Sequence, residues 1–204
     1  RYTEHLPHLF KIIGLKNGVS RAAAMTMLII SKGTYFWVDP YVNPGPSSEQ
    51  IADITLLAAD NIRRFGIEPR VALLSHSDFG SSNRPTARKM RDALELIRRR
   101  SPELEVDGEM HGDTALSPEL REKLVTDSPL TGSANLLIMP SLDAANISYN
   151  LVRVLADGLA IGPMLIGMAQ PAHILAEGVT ARGIMNMTAV AVVEAQNNLD
   201  GELP

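Results

Sequence analysis

The chain has 204 residues, 45% of them apolar and 4% aromatic, with nine Met, no Cys and a formal net charge of −4. That length supports one or two α/β lobes around an aliphatic core, and the lack of Cys removes disulfide and thiolate chemistry, as fits a cytoplasmic protein. Lys and Arg are scattered, which excludes a nucleic-acid groove or an anionic-membrane patch, and no apolar run approaches a bilayer span.

Residues 1–21 mix polar and apolar side chains. His5 and His8 flank Pro7, but the run HLPH gives poor helical spacing and no carboxylate completes a set, so a surface or interface role is expected. Ala23–Ile30 reads as an apolar strand, residues 31–34 as a turn and residues 35–39 as the antiparallel partner. Such a pair suits a sheet edge or a dimer contact. Its successive apolar positions need cover on both faces, so dimerisation through residues 23–39 and nearby helices is expected. Trp37 belongs to this hairpin, either in the core or on the contact surface.

Residues 40–48, PYVNPGPSS, hold three Pro and read as a linker. Ser47 or Ser48 then caps a helix with Glu49 in its first turn, buried along Ile51, Ile54, Leu57, Ala58 and Ile62 and stopped by Gly66. Residues 70–75 form a central parallel strand, followed by the loop HSDFGSSN and a helix over residues 86–100 that Pro85 begins. Ser75, Ser77, Gly80, Ser81 and Ser82 offer hydroxyls and backbone donors ahead of that helix N-terminus, a favourable place for phosphate. No Gly-Lys-Ser/Thr ends the loop, so it is not a nucleotide P-loop. The other reading is a polar loop of helix caps.

Arg98, Arg99 and Arg100 close the helix, where cations complement exposed carbonyls; a solvated helix end is expected, with a coenzyme phosphate contact as the alternative. Glu105, Asp107, Glu109 and Asp113 surround Gly108 and His111, either as a metal cluster or general base or as carboxylates holding neighbouring loops. Ser117 and Pro118 open a short helix reaching Leu124. Residues 136–139 read as a buried parallel strand beside Val71–Leu74, and Ser141 caps a helix that ends near Asp157 and Gly158. A strand over residues 163–168 runs into a segment extended by Pro171. Thr180 opens the last helix, with Ile184, Met187, Val190, Ala191 and Val193 on a helical repeat. Ligands in open α/β sheets sit beyond the carboxyl ends of strands, where residues 140–143 and 169–178 fall.

Three blocks, DGEMHGDTAL, GSANLLIMPSLDAANISYNLV and GPMLIGMAQPAHILAEG, resemble the signature of the phosphate acetyl/butyryltransferase family, in that family's order. The resemblance runs from about Ala24 onward. It implies a three-layer α/β/α fold with a mostly parallel sheet and the two-lobe topology of isocitrate and isopropylmalate dehydrogenases. Residues 1–14 would be the remnant of a largely absent first lobe, 15–167 the second, dimerising lobe, and 168–204 the return to the first. It also implies acyl-CoA contacts at Ser75, Ser77, Gly80, Ser81, Ser82, Asn146, Tyr149 and Gln170.

The departures bear on activity. Active members carry Ser-Arg-Gly-Cys-Ser and shortly afterwards an Asp, where this chain has Ala176, Glu177, Gly178, Val179, Thr180 and then Gly183. Acyl transfer to phosphate needs cations for the phosphate, a donor for the developing oxyanion and a group to handle the thiol. Losing one such donor costs ~10²–10³ in rate, and a carboxylate facing phosphate adds repulsion. Another alignment would bring Arg182 toward the vacant site. The pattern resembles the C-terminal phosphotransacetylase-like domain of bacterial hybrid malic enzymes, whose other half uses NADP and a divalent metal to decarboxylate malate. No GxGxxG follows any strand here, so hydride chemistry is expected elsewhere. The expectation is a catalytically degenerate, homo-oligomerising regulatory domain that binds acetyl-CoA or another acyl-CoA, with no metal or cofactor of its own. The alternatives are an active transferase converting acyl-CoA and phosphate to acyl phosphate and CoA, and a purely structural dimerisation module.

Overall fold

Short runs that are apolar at every position must be covered on both faces, and the middle of the sheet holds two of them, VALL and LLI. The computed structural model describes residues 2–175 and 178–200, with side chains to residue 197. Its strands are β1 (Ala23–Ile30), β2 (Gly33–Val38), β3 (Val71–Leu74), β4 (Val106–Met110), β5 (Leu136–Ile138) and β6 (Leu159–Ile166), in the sheet order β4-β3-β5-β2-β1-β6. The pairs β3–β4, β3–β5 and β2–β5 are parallel, while β1 runs antiparallel to both β2 and β6. Strand β1 is therefore the single reversed member of a mostly parallel sheet, and β3 and β5 are hydrogen-bonded neighbours in its interior.

Alternation along the strands divides the core. Met25, Phe36, Val38, Val71, Leu73, Leu136 and Ile138 pack with helices α2 (Ser48–Arg64) and α3 (Pro85–Arg100). Trp37, Ala72, Leu74, Leu137 and Met139 face the other way, toward α4 (Gly112–Leu116) and α6 (Leu142–Leu155). Two helical layers thus sandwich the sheet. Helix α7 (Ala181–Asp200) adds Met187 and Val190 to the first layer. A smaller cluster of Leu6, Ala22, Leu165, Met168 and Ile174 joins α1 (Tyr2–Ile12) to the end of β6. There two segments far apart in sequence pair: Leu15 bridges Met168, Lys16 N–H donates to Gly167 O at 3.0 Å and Ala169 N–H to Gly14 O at 3.0 Å.

Local signals set the helix ends. Ser47 and Gln50 form a reciprocal capping box on α2, and Ser117 and Ser141 accept from Leu120 N–H and Ala144 N–H to cap α5 (Pro118–Leu124) and α6. Several expectations need correction. The hairpin is not an edge, because β6 covers β1 and β5 covers β2; the edges are β4 and β6. Strand β6 starts earlier than its apolar run suggests. Helix α1 forms despite Pro7 inside it, and β4 and α4 carry no apolar pattern. Arg98 and Arg100 are not a merely solvated end: Arg98 Nη2 donates to Asp107 Oδ1 at 2.9 Å and Arg100 Nη1 to Asp53 Oδ1 at 2.6 Å. Trp37 lies in the core, its Nε1–H donating to Ser148 Oγ at 3.2 Å.

Candidate ligand-binding site

Because β6 and β2 both oppose β1, the strands β2 to β6 end on one edge of the sheet. The loops that follow them, residues 39–46, 75–84, 111–112, 139–141 and 167–175, share that edge. Lys89 Nζ crosses from α3 to donate to Pro140 O at 2.7 Å, and Leu142 N–H donates to Pro44 O at 3.2 Å, so the loops are tied together. Burial lowers the pKa of the Lys89 ammonium.

The loop after β3 is organised by Glu109 on β4. Gly108 permits this: φ is +146°, and a Cβ there would lie 2.7 Å from Leu73 O, so only glycine lets β4 approach β3 this closely. The fully buried Glu109 carboxylate accepts at Oε1 from Ser77 Oγ (2.7 Å), Gly80 N–H (3.1 Å) and Arg91 Nη1 (2.6 Å). Ser77 Oγ accepts from Ser82 N–H at 2.9 Å and lies 3.1 Å from Ser81 Oγ, which itself accepts from Asp78 N–H at 3.1 Å. Ser82 Oγ stands 3.2 Å from His76 Nε2. On the outer side, Asp78 accepts from His111 N–H at 2.7 Å and sits 2.7 Å from His111 Nδ1. Ser75 Oγ is buried without a partner. The remaining acids hold loops: Asp107 accepts from Ser128 Oγ as well as Arg98, and Glu105 accepts from Thr131 N–H and Oγ1. Among the described residues no group of three or more His, Cys, Asp or Glu could hold a metal ion.

At the end of β2, Asp39 accepts from the backbone N–H groups of Tyr41, Val42 and Asn43 and from Asn43 Nδ2. Burial nevertheless pushes its carboxyl above the usual carboxylate range. Arg21 Nη1 donates to Asn43 Oδ1 at 2.6 Å and so closes this network. Asn146 on α6 donates from Nδ2 to Pro40 O at 3.2 Å. Tyr149 is buried against the core, with the Arg153 guanidinium 5.7 Å from its ring centroid; burial raises the pKa of its hydroxyl.

Gln170 lies beyond β6 in a cleft of about 160 Å³, lined also by Lys16, Asn17, Arg64, Pro171 and Glu194. Burial, then the neighbouring Arg64, lower the Lys16 pKa. His173 Nδ1 accepts from Leu165 N–H at 3.2 Å, which pins the segment to the outer edge of β6; its Nε2 stands 3.2 Å from Glu194 Oε2, at an angle that misses a hydrogen bond. Ala176 and Glu177 lie outside the described residues. Gly183 is in the first turn of α7, where its N–H donates to Thr180 Oγ1 at 3.0 Å. A Cβ at this position would meet Val179 Cγ2 at 2.8 Å.

The eight residues implicated from sequence therefore fall into three groups: five on the β3–α3 loop, two on α6 and Gln170 past β6. Four strand spacings separate β3 from β6, roughly 19 Å, so one ligand reaching both ends must be elongated. Arg91, Lys89 and Asp39 escaped the sequence reading. The signal for Arg91 was Glu109 itself, since a carboxylate in a buried strand requires a cation; Lys89 carried none.

This arrangement defines an α/β domain of phosphotransacetylase type, and it superimposes on a phosphotransacetylase from Streptococcus pyogenes with a TM-score of 0.92 at 30% identity, over 97% of this chain and 60% of that one. The family model for phosphate acetyl/butaryl transferase matches residues 1–192, and the chain belongs to that family. It is also 54% identical over 196 residues to the NADP-dependent malic enzyme of Escherichia coli (strain K12), and 52% identical over 197 residues to the NAD-dependent malic enzyme of Rhizobium meliloti (strain 1021). These matches cover 96% and 97% of this chain but 26% of each relative, so the chain spans about a quarter of their length.

Proposed function

We propose that this chain is the phosphotransacetylase-like part of a cytoplasmic NADP-dependent malic enzyme, which oxidatively decarboxylates malate to pyruvate. In this reading the domain binds acetyl-CoA, or another acyl-CoA, as a regulatory effector along the carboxyl edge of its sheet, performs no acyl transfer, and joins copies of the polypeptide into a homo-oligomer. The nicotinamide cofactor and the divalent metal belong to the remaining three-quarters of such an enzyme. The observation that carries the loss of chemistry is Gly183. The family resemblance puts a carboxylate there, but this position has no side chain and Val179 fills the space a Cβ would take. The edge itself keeps its hydroxyls, backbone donors and half-buried Lys89, so binding can persist without turnover.

Self-association is supported by α6. Ile147, Leu151, Val154 and Leu155, at positions i, i+4, i+7 and i+8, form one apolar stripe that is 56–83% exposed. It replaces the hairpin strands as the expected contact, because their edges are already paired.

Calorimetric titration with acetyl-CoA, paired with an assay of thiol release from acetyl-CoA and phosphate, tests the reading. Binding without thiol release is expected. Turnover comparable to a dedicated transferase would refute it, and absence of heat with any acyl-CoA would leave only a structural module.

A further inference from the structure

The β3–α3 loop is shaped from beneath by a carboxylate of the protein rather than from above by a ligand. Phe79 and Gly80 take positive φ values of 45° and 89° in succession, a conformation that turns neighbouring backbone N–H groups toward one point and suits an anion. Both N–H groups are already used, one by the side chain and one by the main chain of Glu109. Gly80 N–H donates to Glu109 Oε1, and Phe79 N–H donates to Glu109 O at 2.7 Å. Arg91 completes the clamp by donating from Nη1 both to Glu109 and to Ser82 O (3.0 Å), so one guanidinium grips the buried carboxylate and the far limb of the loop. A non-glycine residue such as Phe79 does not hold a left-handed conformation unaided; it persists here because its surroundings fix it.

We infer that Glu109 is the positioning residue of this loop: it presets residues 77–82, with Ser82 presented at the sheet edge, before any ligand arrives. The inference rests on the acyl-CoA reading above and adds a division of labour to it. The inward-facing donors serve Glu109, directly or, for the Ser81 hydroxyl, through Ser77, and the Ser82 hydroxyl, which accepts from Arg84 N–H, stands at the rim for the ligand's phosphates. A preset loop has no ordering cost at binding, which is the usual source of affinity in such sites.

Glu109→Gln keeps the shape of the side chain but removes the charge that holds Arg91. Hydrogen exchange at the Gly80 and Ser82 amides of the ligand-free chain, read against a β5 amide as a measure of global opening, is expected to quicken by about tenfold at the loop alone. Acetyl-CoA affinity, by calorimetry, is expected to fall by about tenfold. Arg91→Lys, which keeps a cation opposite Glu109, should restore much of both relative to Arg91→Ala. If Glu109→Gln does not fold, Ser77→Ala removes one donor and leaves the ion pair, and the same two readouts should move about threefold. Unchanged affinity, or exchange quickened equally in β5, overturns the positioning role. Failure of the unmodified chain to bind any acyl-CoA brings down the binding reading and this inference together, whereas equal binding by the unmodified chain and Glu109→Gln sinks this inference alone.

Discussion

Truncating Leu155 to Ala should dissociate the proposed oligomer without unfolding the protomer. Leu155 is 83% exposed at the end of α6, beside Val154 at 71%, Leu151 at 56% and Ile147 at 60%. Fully burying one aliphatic side chain is worth about 1.5–3 kcal/mol, so covering what these four leave exposed is worth roughly 4–8 kcal/mol per protomer. An isologous two-fold contact counts it twice. The resulting gross gain of roughly 8–16 kcal/mol is of the same order as the estimated cost of association, about 4–15 kcal/mol. A stripe of this size therefore supports a dimer when the rest of the interface adds a modest amount. Leu155→Ala deletes three carbons, about 2 kcal/mol per copy and about 4 kcal/mol per dimer, and raises the dissociation constant by about 10³. Sedimentation equilibrium over a concentration series measures that shift, and thermal melting at dilutions where both proteins are monomeric should move little because the residue is mostly exposed on its own protomer. A wild-type chain that sediments as a monomer at micromolar concentration, or an unchanged constant in the variant, would refute the assignment.

Arg91→Ala should cost about 3 kcal/mol in chemical denaturation, at the low end for a broken buried pair, because Glu109 is fully buried while the Arg91 side chain is 27% exposed and water can enter in its place. Asp39 gives a pH signature. Its folded pKa is raised by burial, so its contribution to stability is complete below the ordinary value of about 4 and is lost as pH rises through the folded value. Denaturation of Asp39→Asn should lack that decline; a wild type whose stability rises over the same window relative to the variant would contradict it. Restoring transferase chemistry by Ala176→Ser, Glu177→Arg and Gly183→Asp should yield partial thiol release only when Val179→Cys is added, since Val179 Cγ2 stands 2.8 Å from the new Cβ. Equal release with and without that fourth change would show that Val179 moves aside freely.

Much of the fold was legible because it rests on local rules. VALL and LLI are apolar throughout and short, which identifies buried strands, and Ser47, Ser117 and Ser141 each cap the helix that follows. Strand β4 was not legible. Its sequence VDGEM hides the period because Asp107 and Glu109 are buried as partners of Arg98 and Arg91, and those arginines are fixed only when α3 packs beside β4. The place of the hairpin within the sheet was unreadable for a similar reason: whether β1 is an edge depends on β6, more than a hundred residues later. Site legibility followed the same division. Ser77 reads as a ligand hydroxyl by composition, yet it faces inward to Glu109, and nothing within its own loop announces that carboxylate.

The separation of the two ends of the sheet edge bears on why a domain of this kind can lose its reaction and keep its ligand. The departures from the transferase pattern singled out in the sequence, Ala176, Glu177 and Gly183, follow β6 in the chain, whereas the hydroxyl-bearing loop follows β3, and four strand spacings, roughly 19 Å, separate those two strands. A compact substrate would feel both regions at once, so that damage to one would abolish both affinity and rate. An elongated coenzyme makes its phosphate contacts far from its acyl carbon, and groups remote from the reacting centre contribute to binding independently of those that stabilise the transition state. On the acyl-CoA reading proposed above, substitutions at the β6 end would fall on rate alone, provided that the β3 end holds its shape without help from the reacting group. The Glu109–Arg91 clamp supplies that condition, since it fixes the loop through β4 and α3 and makes no use of residues beyond β6.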